Sequence, residues 1–151
     1  MAVPSAQLAT TADWPEVAAL RARVFVEEQG VPPEIERDAA DASAVHVLSR
    51  DGTGRVVATG RVLVDGATAR IGRMAAAAEV RGRGHGGVVL DELHRQALRL
   101  GATAVELHAQ LPARRFYERA GYTAVGEVFE EAGIAHVTMR RRLGEGPAGT
   151  V

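Results

Sequence analysis

Residues 73–93 run RMAAAAEVRGRGHGGVVLDEL, and the reading of this stretch decides the fold. At its centre, Arg81-Gly82-Arg83-Gly84-His85-Gly86-Gly87 places four glycines and two arginines in seven residues. Beyond it, Val89, Leu93, Ala97 and Leu100 recur with helical period up to Gly101, a C-cap signal. Glycines let a backbone curl so that several N–H groups converge, and a following helix N-terminus adds positive potential at that point. Arg81 and Arg83 can add charge-assisted contacts to phosphate oxygens. The stretch therefore reads as an anion site. A plain flexible turn is the competing reading, and glycine and arginine packed directly ahead of an amphipathic helix argue against it.

The kind of phosphate ligand is a separate question. Gly82-x-Gly84-x-x-Gly87 matches the dinucleotide pattern literally, but that pattern opens a fold and needs an acidic residue ending the next strand. Here it lies past the midpoint, and the next strand ends at His108-Ala109-Gln110. A P-loop is excluded because the chain has no lysine.

Upstream, Ala44–Ser49 reads as a strand ended by the turn Asp51-Gly52-Thr53-Gly54. Arg55–Val64 and Thr68–Ala75 read as a hairpin closed at Asp65-Gly66. Ala75 to Glu79 has high helix propensity, yet its place is the end of a strand running into the glycine loop. The N-terminal helix opens at Asp13-Trp14-Pro15, with Thr11 or Asp13 as N-cap and a stripe of Val17, Leu20, Val24 and Phe25. Gly30 and Pro32-Pro33 end it, and an acidic loop with Glu34, Glu36, Asp38 and Asp41 follows. Downstream come a strand at Thr103–Ala109, a short helix at Pro112–Ala120 stopped by Gly121, and strands Tyr122–Glu130 and Ile134–Leu143 around Glu131-Ala132-Gly133. This order predicts an α/β architecture, an α+β mixed sheet with helices. It is expected to form one domain over residues 1–143, with a flexible tail over residues 144–151.

Composition narrows the class. A chain of 151 residues can hide roughly 70% of its unfolded surface. The formal charge of −1 gives no field toward nucleic acid or an anionic membrane, so neither is an expected partner. With no cysteine, disulfides, thiolate metal sites and cysteine nucleophiles drop out. Met1–Trp14 has neither a basic n-region nor an apolar run, and no stretch approaches the ~20 apolar residues of a membrane span. A cytoplasmic location is the expectation.

Arg81-x-x-Gly84-x-Gly86 resembles the acetyl-CoA signature of the GNAT superfamily of N-acetyltransferases. Leu20 to Pro32, Ala109-Gln110 with Phe116-Tyr117-Glu118, and Phe129 to His136 are similar to its ElaA/YjcF-like branch. The resemblance implies a mixed sheet splayed between Thr68–Ala76 and Thr103–Gln110, with acetyl-CoA as acyl donor. Backbone groups of Met74, Ala75 and Ala76 would pair with the pantetheine arm, and those of Gly82, Arg83, Gly84, His85, Gly86 and Gly87 would hold the pyrophosphate beside Arg81. Gln110 stands where many members place an asparagine near the pantetheine; Phe116 would also border the cofactor while it anchors the short helix. The acceptor would be a small-molecule or peptide amine, and pairing through the C-terminal strands would make a homodimer.

Transfer to an amine needs a neutral amine, a polarised thioester carbonyl and a proton for the departing thiolate. Tyr117 is the expected proton donor, a phenol near ~10 being close to an alkyl thiol. Candidates for the base are Glu27, Glu28, His108, Glu131 and His136; Glu28, Gln29 and His136 are the acceptor-site choices. The five histidines show no metal-ligand spacing, so no metal is expected. No serine sits in a nucleophile elbow. The reading from another class is a regulatory module that binds acyl-CoA without catalysis.

Overall fold

A computed structural model describes residues 3–144 of the chain; the expected flexible tail, Gly144 apart, lies outside the described residues. In chain order the elements are β1 (Ala6–Leu8), α1 (Trp14–Arg21), α2 (Pro33–Glu36), β2 (Val45–Arg50), β3 (Val56–Asp65) and β4 (Thr68–Ala76). Then follow α3 (His85–Arg99), β5 (Ala104–Gln110), α4 (Arg114–Arg119), β6 (Thr123–Glu131) and β7 (Ile134–Arg142). The strands make one sheet in the order β1-β2-β3-β4-β5-β7-β6. Every pair is antiparallel except β4–β5, whose crossover through α3 makes them parallel.

Each face of the sheet carries its own core. On one, α3 lays Val89, Leu90, Leu93 and Ala97 against Val47, Val62, Ile71, Val105 and Met139. On the other, Val17, Leu20, Val24 and Phe25 cover Leu48, Val56 and Val57. Burying one such aliphatic side chain stabilises the fold by about 1.5–3 kcal/mol. The second helical layer stops at β4. It therefore leaves the β5-β7-β6 half of that face without a helix.

Three local features depart from the sequence reading. Strand β1 was not anticipated. Asp13 does hold the N-cap of α1, but its carboxylate accepts from Thr10 N–H at 2.8 Å, so a 3-10 turn over Thr11–Asp13 precedes the helix. After Arg21 the helix widens into a π-helical stretch over Ala22–Glu28. It ends at Gly30, whose φ is 73° and whose N–H bonds to the Val26 carbonyl, while Val31 N–H reaches the Phe25 carbonyl. The Ala75–Glu79 conflict resolves as placed: β4 runs to Ala76, and a 3-10 turn at Ala78–Val80 leads to the glycines.

The supposed acidic loop is folded inward. Arg21, 1% exposed, donates to Glu36 Oε2 at 2.6 Å and to both oxygens of Asp41 at 2.7 and 3.1 Å. Arg61 of β3 grips Asp38 at 2.7 and 2.9 Å and Asp41 at 2.8 Å. Arg73 of β4 reaches the Glu36 carbonyl at 3.0 Å and Asp38 at 3.2 Å. Burial pushes the Asp41 carboxyl up, but Arg21 and Arg61 outweigh it and hold its pKa at about 2.

A bulge disturbs β4 beside this network. Thr59 pairs with Ala75 and Arg61 with Gly72, so Gly60 alone faces Arg73 and Met74. Arg73 takes φ 53°, a conformation usually left to glycine in such bulges. Gly60 has to be small, because a Cβ there would lie 2.5 Å from Met74 Sδ and 2.7 Å from Leu93 Cδ1. Gly60→Ala is expected to cost about 1–3 kcal/mol by overpacking. Chemical denaturation would show it as a lower midpoint at unchanged m-value; an unchanged midpoint would mean that Met74 moves aside freely.

Candidate active site

Strands β4 and β5 hydrogen-bond only from Thr68–Ile71 to Ala104–Leu107, and beyond that they part. β4 continues to Ala76 and β5 to Gln110, so the edge of β4 from Gly72 onward has no partner on the β5 side. An open cavity of about 850 Å³ occupies the sheet face there. Its inner end is lined by Phe25, Gln29, Met74, Gln110, Tyr117 and His136, and its outer wall includes Ile35, Glu36, Asp38 and Arg73.

The split thus brings together residues far apart in sequence. Gln29, which caps the π-helical stretch, and Gln110, which ends β5, exchange amide hydrogen bonds across the inner end at 2.9 and 3.3 Å. Tyr117 comes from α4, which starts four residues after β5 and is only long enough to turn one ring inward. That ring packs edge-on against Phe116 and Tyr122, and the residue is 7% exposed. Burial pushes its hydroxyl well above the usual phenol range. The hydroxyl makes no hydrogen bond among the described residues, nor is it sealed from solvent. Tyr117 is thus a buried phenol on the cavity lining whose hydroxyl is unpaired among the described residues.

His136 lies opposite Gln110 in the β5–β7 ladder. His108 and Glu131, considered earlier only as bases, meet at 3.0 Å on the same rim. Glu28 is placed elsewhere. It pairs with Arg81 at 3.0 Å and does not line the cavity. Glu27 is exposed in a separate shallow groove with Arg23 and Arg55.

The glycine loop stands apart from this cavity, at the head of α3. Gly84, at φ 94°, caps the helix, which already includes Gly86 and Gly87. The first intrahelical bond there runs from Val88 to Gly84, so the amides of His85, Gly86 and Gly87 have no acceptor within the helix. A Cβ on Gly82 or Gly87 would meet nothing within 4 Å, and one on Gly86 would meet the Phe116 ring at 3.6 Å. Among the charged members of the loop, Arg81 is committed to Glu28 and to the Ala76 carbonyl at 3.0 Å. His85 turns inward, its Nδ1 2.8 Å from Ser49 Oγ. Arg83 is exposed, with no partner among the described residues. What the loop offers an anion is backbone amides and one free guanidinium.

The network around Arg21 was missed at the sequence level, although it builds the outer wall. A reciprocal Gln29–Gln110 bond was equally invisible, since it joins positions 81 residues apart. Among the described residues no cluster of potential ligands could hold a metal ion, and no helix is long and apolar enough to cross a membrane.

Known proteins are similar to this chain in sequence and in fold. The N-acetyltransferase YjcF of Bacillus subtilis, itself uncharacterized, is 33% identical over 123 residues, covering 81% of this chain and 87% of its own. An acyl-CoA N-acyltransferase from Pseudomonas aeruginosa superposes with a TM-score of 0.76 at 31% identity, over 91% of this chain and 97% of that one. Escherichia coli ElaA does so with a TM-score of 0.79 at 27% identity, over 91% and 99%. The Acetyltransferase (GNAT) domain family matches residues 11–143. The chain is thus a GNAT-family N-acetyltransferase of the ElaA/YjcF-like branch.

Proposed function

We propose that the chain transfers the acetyl group of acetyl-CoA directly to a primary amine, with Tyr117 as the donor to the departing sulfur. The observation that carries this reading is the parting of β4 from β5 with Tyr117 facing the gap. Acetyl-CoA supplies the activated acyl group when bound. Its pyrophosphate suits the free amides at the head of α3, with Arg83 beside them. Its pantetheine arm suits the unpartnered edge of β4 over Met74–Ala76, as an added strand would. The Ala76 carbonyl is shared there with Arg81. Backbone N–H groups at the bulge are donors suited to a thioester carbonyl.

The amine approaches through the open cavity, past Gln29 and Gln110. Tyr117 keeps its proton until the carbon–sulfur bond breaks, because burial disfavours the phenolate. The same low-dielectric surroundings disfavour a thiolate, so the raised hydroxyl and the leaving sulfur stay matched.

A screen of primary amines that reads thiol released from acetyl-CoA tests the proposal directly. Acceptor-dependent release is expected; stabilisation by NAD but not by acetyl-CoA in a thermal-shift comparison would overturn it. For the loop, Gly84→Val forces a β-branched residue into φ 94°. It is expected to weaken acetyl-CoA binding at least tenfold, about 1.4 kcal/mol. Arg83→Ala should flatten the salt dependence of binding. Calorimetry would check both, and full affinity in a folded Gly84→Val protein would remove the loop from the site.

A further inference from the structure

The proposed reaction leaves one proton without a destination. An alkylamine is an ammonium below ~10.4, and its nitrogen sheds two protons on acetylation. Tyr117 can account only for the one that ends on sulfur. We infer that His136 Nε2 takes the other, with Glu131 as its positioning partner. This rests on the acetyl transfer proposed above.

The geometry defines the ring's protonation. His136 Nδ1 lies 2.7 Å from the Ile134 carbonyl, which can only accept, so Nδ1 carries the hydrogen. In the neutral ring, Nε2 then presents a lone pair. Although the residue is buried, Nε2 has no hydrogen bond among the described residues and is not sealed from solvent. It lines the cavity beside Gln110. Its Nε2 is thus a free acceptor on a ring that lines the cavity.

Glu131 Oε2 stands 3.9 Å from that nitrogen, too far for a hydrogen bond but within reach of a charge formed there. Its Oε1 accepts from His108 Nδ1 at 3.0 Å, which fixes the carboxylate. Phe129 stacks on His136 and meets His108 edge-on, with ring centroids 5.9 and 4.9 Å apart. The ionisable groups around the ring are therefore Glu131 of β6 and His108 of β5. Tyr117 of α4 stands at the inner end, and ion-paired Arg73 of β4 lies on the outer wall. Among the side chains here, an imidazole is the one that ordinarily exchanges protons between pH ~5 and ~8.

The step balances without a further reactant. An N–H bond of the ammonium breaks as Nε2 gains the proton, and the freed lone pair forms the C–N bond. As the C–S bond breaks, the second proton leaves nitrogen and reaches sulfur by way of Tyr117. His136 then returns its proton to water.

Two acceptors separate a base from a structural histidine: butylamine, protonated at assay pH, and hydroxylamine, neutral there. With butylamine, His136→Asn should lose at least about tenfold in kcat/KM together with the acid limb of the pH profile, a general base being worth typically 10²–10⁴. Added imidazole should restore part of the loss, and with hydroxylamine little should be lost. Glu131→Gln should lower kcat/KM severalfold with butylamine and change it little with hydroxylamine. Equal losses with both acceptors, or none with either, would overturn the inference. Should His136→Asn not fold, or wild type use neither amine, 15N NMR of the histidine rings decides. The inference expects Nδ1–H with a bare Nε2; a hydrogen on Nε2 of the neutral ring overturns it. Failure of the transferase reading itself would show separately, as absence of acetyl-CoA binding.

Discussion

Tyr117→Phe is expected to lower kcat by about 10²–10⁴ while leaving folding and acetyl-CoA affinity nearly unchanged. The ring packs against Phe116 and Tyr122 and contributes to the α3-side core, and phenylalanine keeps all of that. Only the hydroxyl is lost, and it makes no hydrogen bond that the fold would miss. The loss belongs in kcat more than in KM, since the proton is needed only as sulfur departs. An acyl donor with a more acidic thiol should shrink it. Burial holds the hydroxyl protonated beyond the usual phenol range, so Tyr117 should impose no alkaline limb on the wild-type profile near pH ~10. Steady-state kinetics of the two proteins with one verified amine would check this. A variant that retains most of its kcat would assign the proton to water or to another group.

Much of the fold was legible because its signals are local. The Asp65-Gly66 and Ala132-Gly133 turns close hairpins where expected, and Ala132 and Gly133 both take positive φ, as a two-residue connection requires. The glycine loop and α3 follow from spacing alone. Splaying of β4 from β5 came from the family resemblance, not from the residues, because nothing in two strand patterns says where their pairing stops.

Less legible was the destination of polar side chains. Eighteen arginines and no lysine leave no contrast by which Arg21 could be singled out for burial. Its partners Glu36 and Asp41 lie 15 and 20 residues away and share no period with it. Arg81 and His85 sit in the expected loop, yet one is drawn to Glu28 and the other to Ser49 by neighbours that only the tertiary fold supplies. The π-helical stretch leaves no mark either, since Leu20, Val24 and Phe25 suit an α-helix equally well. At three residues, β1 is too short for its alternation to register.

Arg21→Ala is expected to cost about 3–5 kcal/mol, the usual penalty for stranding a buried charge by removing its partner. Glu36 is 3% exposed, and its remaining cation, Arg73, stands 3.6 Å away and is shared with Asp38. Asp41 would keep Arg61, with His46 Nε2 4.0 Å away. In a chain of this size each kcal/mol shifts Tm by about 2–4 °C, so a fall of about 6–20 °C follows. Replacing the group together, as Arg21→Met with Glu36→Gln and Asp41→Asn, should lose far less, because no charge is left unpaired. Acid should act on the same network. Asp41 is lowered from 3.8 to about 2, so its contribution is complete above pH ~3.8 and disappears as pH falls toward 2. Asp38, lowered chiefly by its hydrogen bond to Arg61, adds in the same direction. Wild type should therefore lose stability across that window, and the triple variant should lose less. The consequence reaches the cavity as well, since Arg73 keeps its φ of 53° at the bulge while its guanidinium is held by Glu36 and Asp38. Thermal unfolding at pH 7 and across the acid range would test this. An Arg21→Ala protein within about 3 °C of wild type would mean that the carboxylates find water, and that the network contributes little.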